Sequence, residues 1–250
     1  MEKYEHFAVI GGNRIQKAKK TIACLEFVMK DDLKNKKILE IGSGSGLISY
    51  EISREGNEVT CIDIQFKPLK AAINKSGFHL ENCLNLLIAD GAKLPFKSDY
   101  FDIVICNQVI EHVPKRIHQQ LIDESYRVLQ LKGLFYIATG NRLWPTEPHK
   151  KLLFYHTFPK NWLINTSNYL KELMNMMFFL PTYNQLREIV LTKFITLIDL
   201  TPIIEKNPEM YYIRNEIPNL LKSILKLVPL GILREFTSFY SSWILVWVKK

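Results

Sequence analysis

KILEIGSGSG (37–46) followed by LISYEISR (47–54) carries the reading of this chain. A short β-rich run delivers Gly42, Gly44 and Gly46 into a tight turn, and the turn opens an amphipathic helical stretch. Glycine accepts positive φ and lets a ligand approach bare backbone N–H groups, while the start of a helix favours negative or electron-rich atoms. Many α/β proteins contain such a loop, so the residues around it must say what it holds.

Working outward, β-rich runs alternate with helical ones. Strands are expected at 37–41, 58–63, 84–89, 101–107 and 134–139, with helices at 47–54, 68–76 and 115–129. Ile15, Ala18, Ile22, Leu25 and Met29 recur at helical spacing and predict a helix over 14–30 that ends in the polar run 31–37. Beyond Gly140, the runs YNQLREIVL (helix), FITLIDL (strand) and SWILVWVKK (final strand) continue the pattern. Strands separated by helices imply crossover connections and a sheet covered on both faces. The expected fold class is α/β: a Rossmann-like, seven-stranded, mostly parallel sheet with helices on both faces and helical insertions after strands five and six. The chain reads as one domain over 1–250, with a cofactor-binding core at 35–140 and substrate-side insertions at 141–182 and 202–240.

Three acids sharpen the glycine loop. Asp63 ends the second strand, 17 residues after Gly46, where a carboxylate accepts the protons of both ribose hydroxyls. That position suits a nicotinamide dinucleotide or S-adenosylmethionine. Glu40, two residues before Gly42, separates the two: a carboxylate there opposes a pyrophosphate but suits an ammonium and a sulfonium. Asp90, in IADGAKLPF, ends the third strand beside amides able to meet an adenine. Each acid has a plainer reading, Glu40 as a charge paired to a helix, Asp63 as a helix N-cap and Asp90 as a turn former. Their joint placement at the ends of successive strands, the edge where open α/β sheets bind ligands, favours the binding site.

These segments resemble the class I S-adenosylmethionine-dependent methyltransferases, especially the small-molecule group (type 11) that includes ubiquinone and menaquinone biosynthesis enzymes. The resemblance is carried by ILEIGSGSG, CIDI, IADGAKLPFKSDYFDIVICNQVIEHV and ESYRVLQLKGLFYIAT, and it covers 35–140. It implies S-adenosylmethionine as cofactor. Gly42 and Gly44, with Ser43 and Gly46 of the same loop, would contact its methionine part. Glu40 would support the amino group, Asp63 the ribose, Asp90 with Gly91 and Ala92 the adenine, and Asn107 the methionine moiety through its backbone, with Ile64 a further cofactor-binding position. Gln108, Glu111 and His112 begin the next turn, where the family has an acidic residue and a histidine that shape the site. One departure is LKGL (131–134), where the family usually has Pro-Gly-Gly; it affects the turn at Gly133 and should leave the cofactor untouched.

A sulfonium methyl is intrinsically electrophilic, so the protein mainly aligns a nucleophile and excludes water, with a base where a proton must leave. GNRLWPTEPHKKLLFYH (140–156), directly after strand five, holds the candidate catalytic residues His149, His156 and Glu147. Arg142, Lys150 and Lys151 suit an anionic group, and Trp144, Phe154 and Tyr155 a wall. Surface or structural roles stand as the plainer reading of each. No metal site is expected, because Cys24, Cys61, Cys83 and Cys106 lie apart without metal-ligand spacing and read as buried free thiols.

The composition, 47% hydrophobic and 23% charged, excludes collagenous and disordered classes. The N-terminal residues lack an export-signal pattern and no run is long enough to span a bilayer, so a cytoplasmic protein is expected. The net charge of +8 is uneven: +2 over residues 1–149 and +6 over 150–250. With the Lys/Leu stretch IPNLLKSILKLVPLGILREF (217–236), this points to a small-molecule or lipid-linked acceptor, anionic or near a membrane. No nucleic-acid-binding module is recognisable, so a nucleic-acid partner is disfavoured. The competing readings are an NAD-type oxidoreductase and a catalytically silent nucleoside-binding or partner-binding subunit.

Overall fold

The computed structural model describes residues 11–65, 84–140, 181–194, 196–201 and 242–249. Helix α1 (Gly11–Met29) precedes β1 (Lys37–Ile41), α2 (Leu47–Arg54), β2 (Glu58–Asp63), β3 (Leu84–Ile88) and β4 (Phe101–Asn107). A single 3-10 turn (Ile110–His112) leads to α3 (Lys115–Val128) and β5 (Leu129–Gly140), followed by α4 (Tyr183–Leu191), β6 (Thr196–Asp199) and β7 (Ser242–Val248). The seven strands form one sheet in the order β3-β2-β1-β4-β5-β7-β6. β1 to β5 run parallel, and β7 lies antiparallel between β5 and β6. The mostly parallel Rossmann-like sheet is therefore present. The expected helix at 68–76, residues 141–180 of the expected insertion at 141–182 and the insertion at 202–240 lie outside the described residues.

Alternation along the strands divides the core in two. Leu39, Ile41, Val104, Cys106, Phe135 and Ile137 pack with Leu121, Ile122 and Val128 of α3 and Leu186 and Val190 of α4. Ile38, Val59, Ile103, Ile105 and Tyr136 pack with Cys24 and Leu25 of α1 and Ile52 of α2. This pleat also places Glu40 on the α1/α2 face, since its neighbours Leu39 and Ile41 belong to the other core.

Several boundaries differ from the sequence reading. The buried line of α1 is Ala18, Thr21, Cys24 and Leu25, whereas Ile15 is 36% exposed. Thr21 replaces an apolar residue in that line because its hydroxyl donates back to the Lys17 carbonyl at 2.9 Å. β5 begins at Leu129 rather than 134, across a register shift between Phe101 and Ile103 of β4. Only Thr196–Asp199 of FITLIDL pairs as strand; Phe194 instead stacks on Phe135, with ring centroids 5.3 Å apart.

The LKGL departure resolves into two demands. A Cβ on Gly133 would sit 2.8 Å from the carbonyl oxygens of Asp102 and Gln130, so the glycine is needed for space. Lys132 carries the left-handed conformation, φ 64, with its N–H donating to the Lys249 carbonyl at 2.9 Å. Left-handed backbone costs an L-residue energy that glycine avoids, so Lys132→Gly should stabilise the protein by about 0.5–1 kcal/mol after the entropy of the added glycine. Calorimetric melting should show a rise of roughly 1–4 °C; an unchanged or lower midpoint would contradict the assigned strain.

Arg127 explains why LPF (94–96) and ESYRVL (124–129) occur together. It pairs with Glu124 at 2.7 Å and donates to the carbonyls of Phe96 at 2.7 Å and Leu94 at 3.0 Å. Glu124 in turn accepts from the Leu94 N–H at 2.8 Å, which pins the 94–96 segment along α3.

Candidate active site

The C-terminal ends of β1, β2, β4 and β5 bring the loop and its acids to one rim. Gly42, Gly44 and Gly46 take φ 68, 56 and 69, alternating with serines of ordinary φ, so successive amides turn toward a common concavity. A Cβ on Gly42 would lie 2.5 Å from Cγ2 of Val109, so the loop passes against the β4 turn with no room for a side chain. Gly46 then serves as the left-handed N-cap of α2 without a capping side chain.

Asp63 meets this loop directly. Its Oδ2 accepts from the Gly44 N–H at 2.8 Å and its Oδ1 from the Gln65 N–H at 2.8 Å. Each carboxylate oxygen has two lone-pair sites, so this bracing is compatible with Asp63 also accepting from ribose hydroxyls. Glu40 is 2% exposed and its Oε2 accepts from the hydroxyl of Ser49 on α2. The Cys61 thiol beside it is pushed up to about 12 by burial, with the Glu40 charge adding to the effect. The Ser43 hydroxyl is buried in the loop beside the Cys61 thiol.

On the adenine side, Asp90 Oδ1 accepts from the Ala92 N–H at 2.9 Å, so this exposed residue does form its own turn. Gly91 lies close over β1, where a Cβ would fall 2.7 Å from Ile41 Cγ2. Ile64 is 70% exposed, leaving an apolar side chain in solvent next to Asp63.

The Asn107 side chain turns toward α1, its amide donating to Thr21 Oγ1 at 3.4 Å. Gln108 is left-handed, φ 57, and its N–H donates to the Ala138 carbonyl at 2.7 Å. Glu111 is buried, which pushes its carboxyl up; the Thr139 hydroxyl donates to its Oε2 at 2.8 Å and partly offsets that effect. These contacts weld the β4 turn to the end of β5.

A rim of glycine amides with carboxylates on both sides opposes a polyanion and fits a ligand that is cationic at one end and a nucleoside at the other. The bare backbone at Gly42 fits a ligand seated on the loop itself. Residues 39–137 match the methyltransferase domain family. This core resembles the class I S-adenosylmethionine-dependent methyltransferases.

The matched core is similar to a ubiquinone biosynthesis O-methyltransferase of Psychrobacter cryohalolentis, 32% identical over 112 residues, which make up 44% of this chain and 43% of that protein. The chain thus matches less than half the length of such curated relatives. The fold is shared with an S-adenosylmethionine-dependent methyltransferase of Mesorhizobium loti (TM-score 0.56, 14% identity, covering 89% of this chain and 95% of that one). It is shared too with the PH0226 protein of Pyrococcus horikoshii (TM-score 0.56, 17% identity, 90% and 86% covered).

Of the expected site residues, the structure brings Glu40, Gly42, Ser43, Gly44, Gly46 and Asp63 together in and around the loop. Ile64, Asp90, Gly91, Ala92 and Asn107 lie at or just beyond the ends of β2, β3 and β4. His149, His156 and Glu147 lie outside the described residues. Sequence reasoning missed Ser49, Val109, Thr21 and Thr139. Their types are unremarkable, and only their contacts mark them. Of these, Ser49 had a faint signal, a hydroxyl in the first turn after the glycine loop. Among the described residues no cluster of His, Cys, Asp and Glu is arranged to hold a metal ion.

Proposed function

We propose that this chain transfers the methyl group of S-adenosylmethionine to a small-molecule acceptor, releasing S-adenosylhomocysteine. The observation that carries the reading is the pair of carboxylates at the glycine loop, Asp63 bonded to the Gly44 N–H at 2.8 Å and Glu40 buried beneath the same turn. When bound, the cofactor supplies a sulfonium methyl that a nucleophile attacks in line. The chain's own residues then orient and dehydrate: Asp63 holds the ribose, Glu40 faces the amino group and the exposed Ile64 offers an apolar surface to the adenine. Asp90, Gly91, Ala92 and the Asn107 backbone complete the site in this proposal.

The acceptor side is proposed for 141–182 and 202–240. The first of these segments leaves β5 at Gly140, on the same rim. His149 is the proposed proton acceptor, with His156 and Glu147 as the other candidates. The similarity to ubiquinone biosynthesis O-methyltransferases favours an acceptor oxygen. Among the described residues no helix is long and apolar enough to cross a membrane. The +6 charge of residues 150–250 supports an encounter with an anionic or lipid-linked acceptor at a membrane surface.

Titration of the full chain with S-adenosylhomocysteine should give a dissociation constant of about 1–100 μM. Incubation with methyl-labelled S-adenosylmethionine and a cell extract should then place label in the small-molecule fraction. Absence of binding at millimolar nucleoside would overturn the reading; binding with no labelled product in any fraction would identify a silent subunit instead. For the membrane component, the protein should float with vesicles containing phosphatidylglycerol at low salt and less so at high salt. Failure to float at low salt would remove the lipid-linked version.

A further inference from the structure

Among the described residues, two buried helical hydroxyls bond back to their own helix: Thr21 donates to the Lys17 carbonyl at 2.9 Å and Ser125 to the Leu121 carbonyl at 2.8 Å. Ser49, fully buried in the first turns of α2, instead donates across to the Glu40 carboxylate on β1. Both residues sit directly below the loop, on the α1/α2 face, with the Cys61 thiol of β2 against them. We propose that Ser49 is a positioning residue for the amino-acid arm of the cofactor, acting through Glu40: it holds the carboxylate as a fixed negative pole beneath Gly42 and Gly44. A carboxylate on a flexible stem that is pinned at one oxygen presents its charge in one place, and preorganised charge of that kind binds an ammonium without first being ordered. Removing the hydroxyl leaves Glu40 in place but takes away the restraint that α2 supplies, so the loss should fall on ligands that carry the ammonium and spare those that do not. The inference rests on the proposed cofactor, and its test separates the two.

Wild type, Ser49→Ala and Glu40→Gln are titrated by calorimetry with S-adenosylhomocysteine and with 5′-methylthioadenosine, which shares the nucleoside and sulfur but lacks the amino-acid arm. The expected result is a roughly tenfold weaker affinity of Ser49→Ala for S-adenosylhomocysteine, as for loss of one hydrogen bond to a charged group, with 5′-methylthioadenosine within about twofold of wild type. Glu40→Gln should show the same split, and Ser49→Thr, which keeps the donor, should recover most of the loss. Parallel weakening for both nucleosides, as a merely structural hydroxyl would produce, overturns the proposal, and so does no weakening for either. Thermal melting confirms that each variant is folded; if Ser49→Ala is not, Ser49→Cys, of nearly equal size and a weak donor, carries the same comparison. Failure of the wild type to bind either nucleoside would instead strike the proposed function.

Discussion

Replacing Asp63 with alanine should weaken binding of S-adenosylhomocysteine by about 100-fold or more, the cost of losing two hydrogen bonds to a charged acceptor. The effect has two parts. The side chain is the proposed acceptor for the ribose hydroxyls, and it also braces the loop by accepting from the Gly44 N–H at 2.8 Å. Alanine removes both, so the left-handed turn at Gly44, φ 56, loses its tie to the end of β2 just where the ligand needs its amides aimed. Asp63→Asn keeps one oxygen as an acceptor, and its loss should be intermediate, on the order of tenfold. Isothermal titration of wild type and both variants, with melting curves to confirm folding, provides the measurement. Equal affinity in all three would show that the rim does not hold a nucleoside sugar.

The second large effect is on stability and lies far from the rim. Lys249, one residue beyond β7, is 8% exposed, and its ammonium donates to the carbonyls of Tyr126 at 2.9 Å and Leu129 at 2.7 Å. It also lies 4.5 Å from the centroid of the Tyr126 ring and 2.7 Å from Asp99 Oδ1. The last carbonyls of a helix have no partner within the helix, and a cation there is doubly favourable because it satisfies them and opposes the negative end of the dipole. Lys249 therefore closes the C-terminus of α3 from the strand that completes the sheet. Lys249→Met preserves the stem but removes the charged donor to one buried and one part-buried carbonyl, an expected loss of about 2–4 kcal/mol. At this chain length that corresponds to a melting temperature lower by roughly 5–15 °C. Asp99, whose side chain is 62% exposed, should matter far less: Asp99→Asn should cost under about 0.5–1 kcal/mol, as exposed ion pairs do. A Lys249→Met melt no lower than that of Asp99→Asn would show that the buried ammonium contributes nothing beyond its exposed ion pair.

How legible the fold was depends on which periodicities carry information. The strands KILEI, EVTCID and FDIVICN were readable to the residue because buried parallel strands need short, continuous β-rich runs bounded by turn formers. The start of β5 was not, because Leu129 to Leu131 follow α3 without a turn-forming residue and Lys132 supplies the left-handed backbone usually signalled by glycine. Ile15 misled the reading of α1: apolar residues at helical spacing define a stripe, but which flank of the stripe meets the sheet is set by packing, which here chose Thr21 over Ile15.

For the site, the residues themselves named the loop, Glu40, Asp63 and Asp90, because glycine conformations and carboxylate charge are chemical properties that survive without coordinates. Type and spacing also bounded the ligand class, since acids beside a glycine turn oppose a pyrophosphate. Only the tertiary structure decided the strand order, with β7 antiparallel between β5 and β6, and the partners that give each acid its setting: the Gly44 amide for Asp63, the Ala92 amide for Asp90 and the Ser49 hydroxyl for Glu40. Those pairings join residues from separate elements, and nothing in local periodicity encodes a contact that forms only when the sheet assembles and the helices settle on its faces.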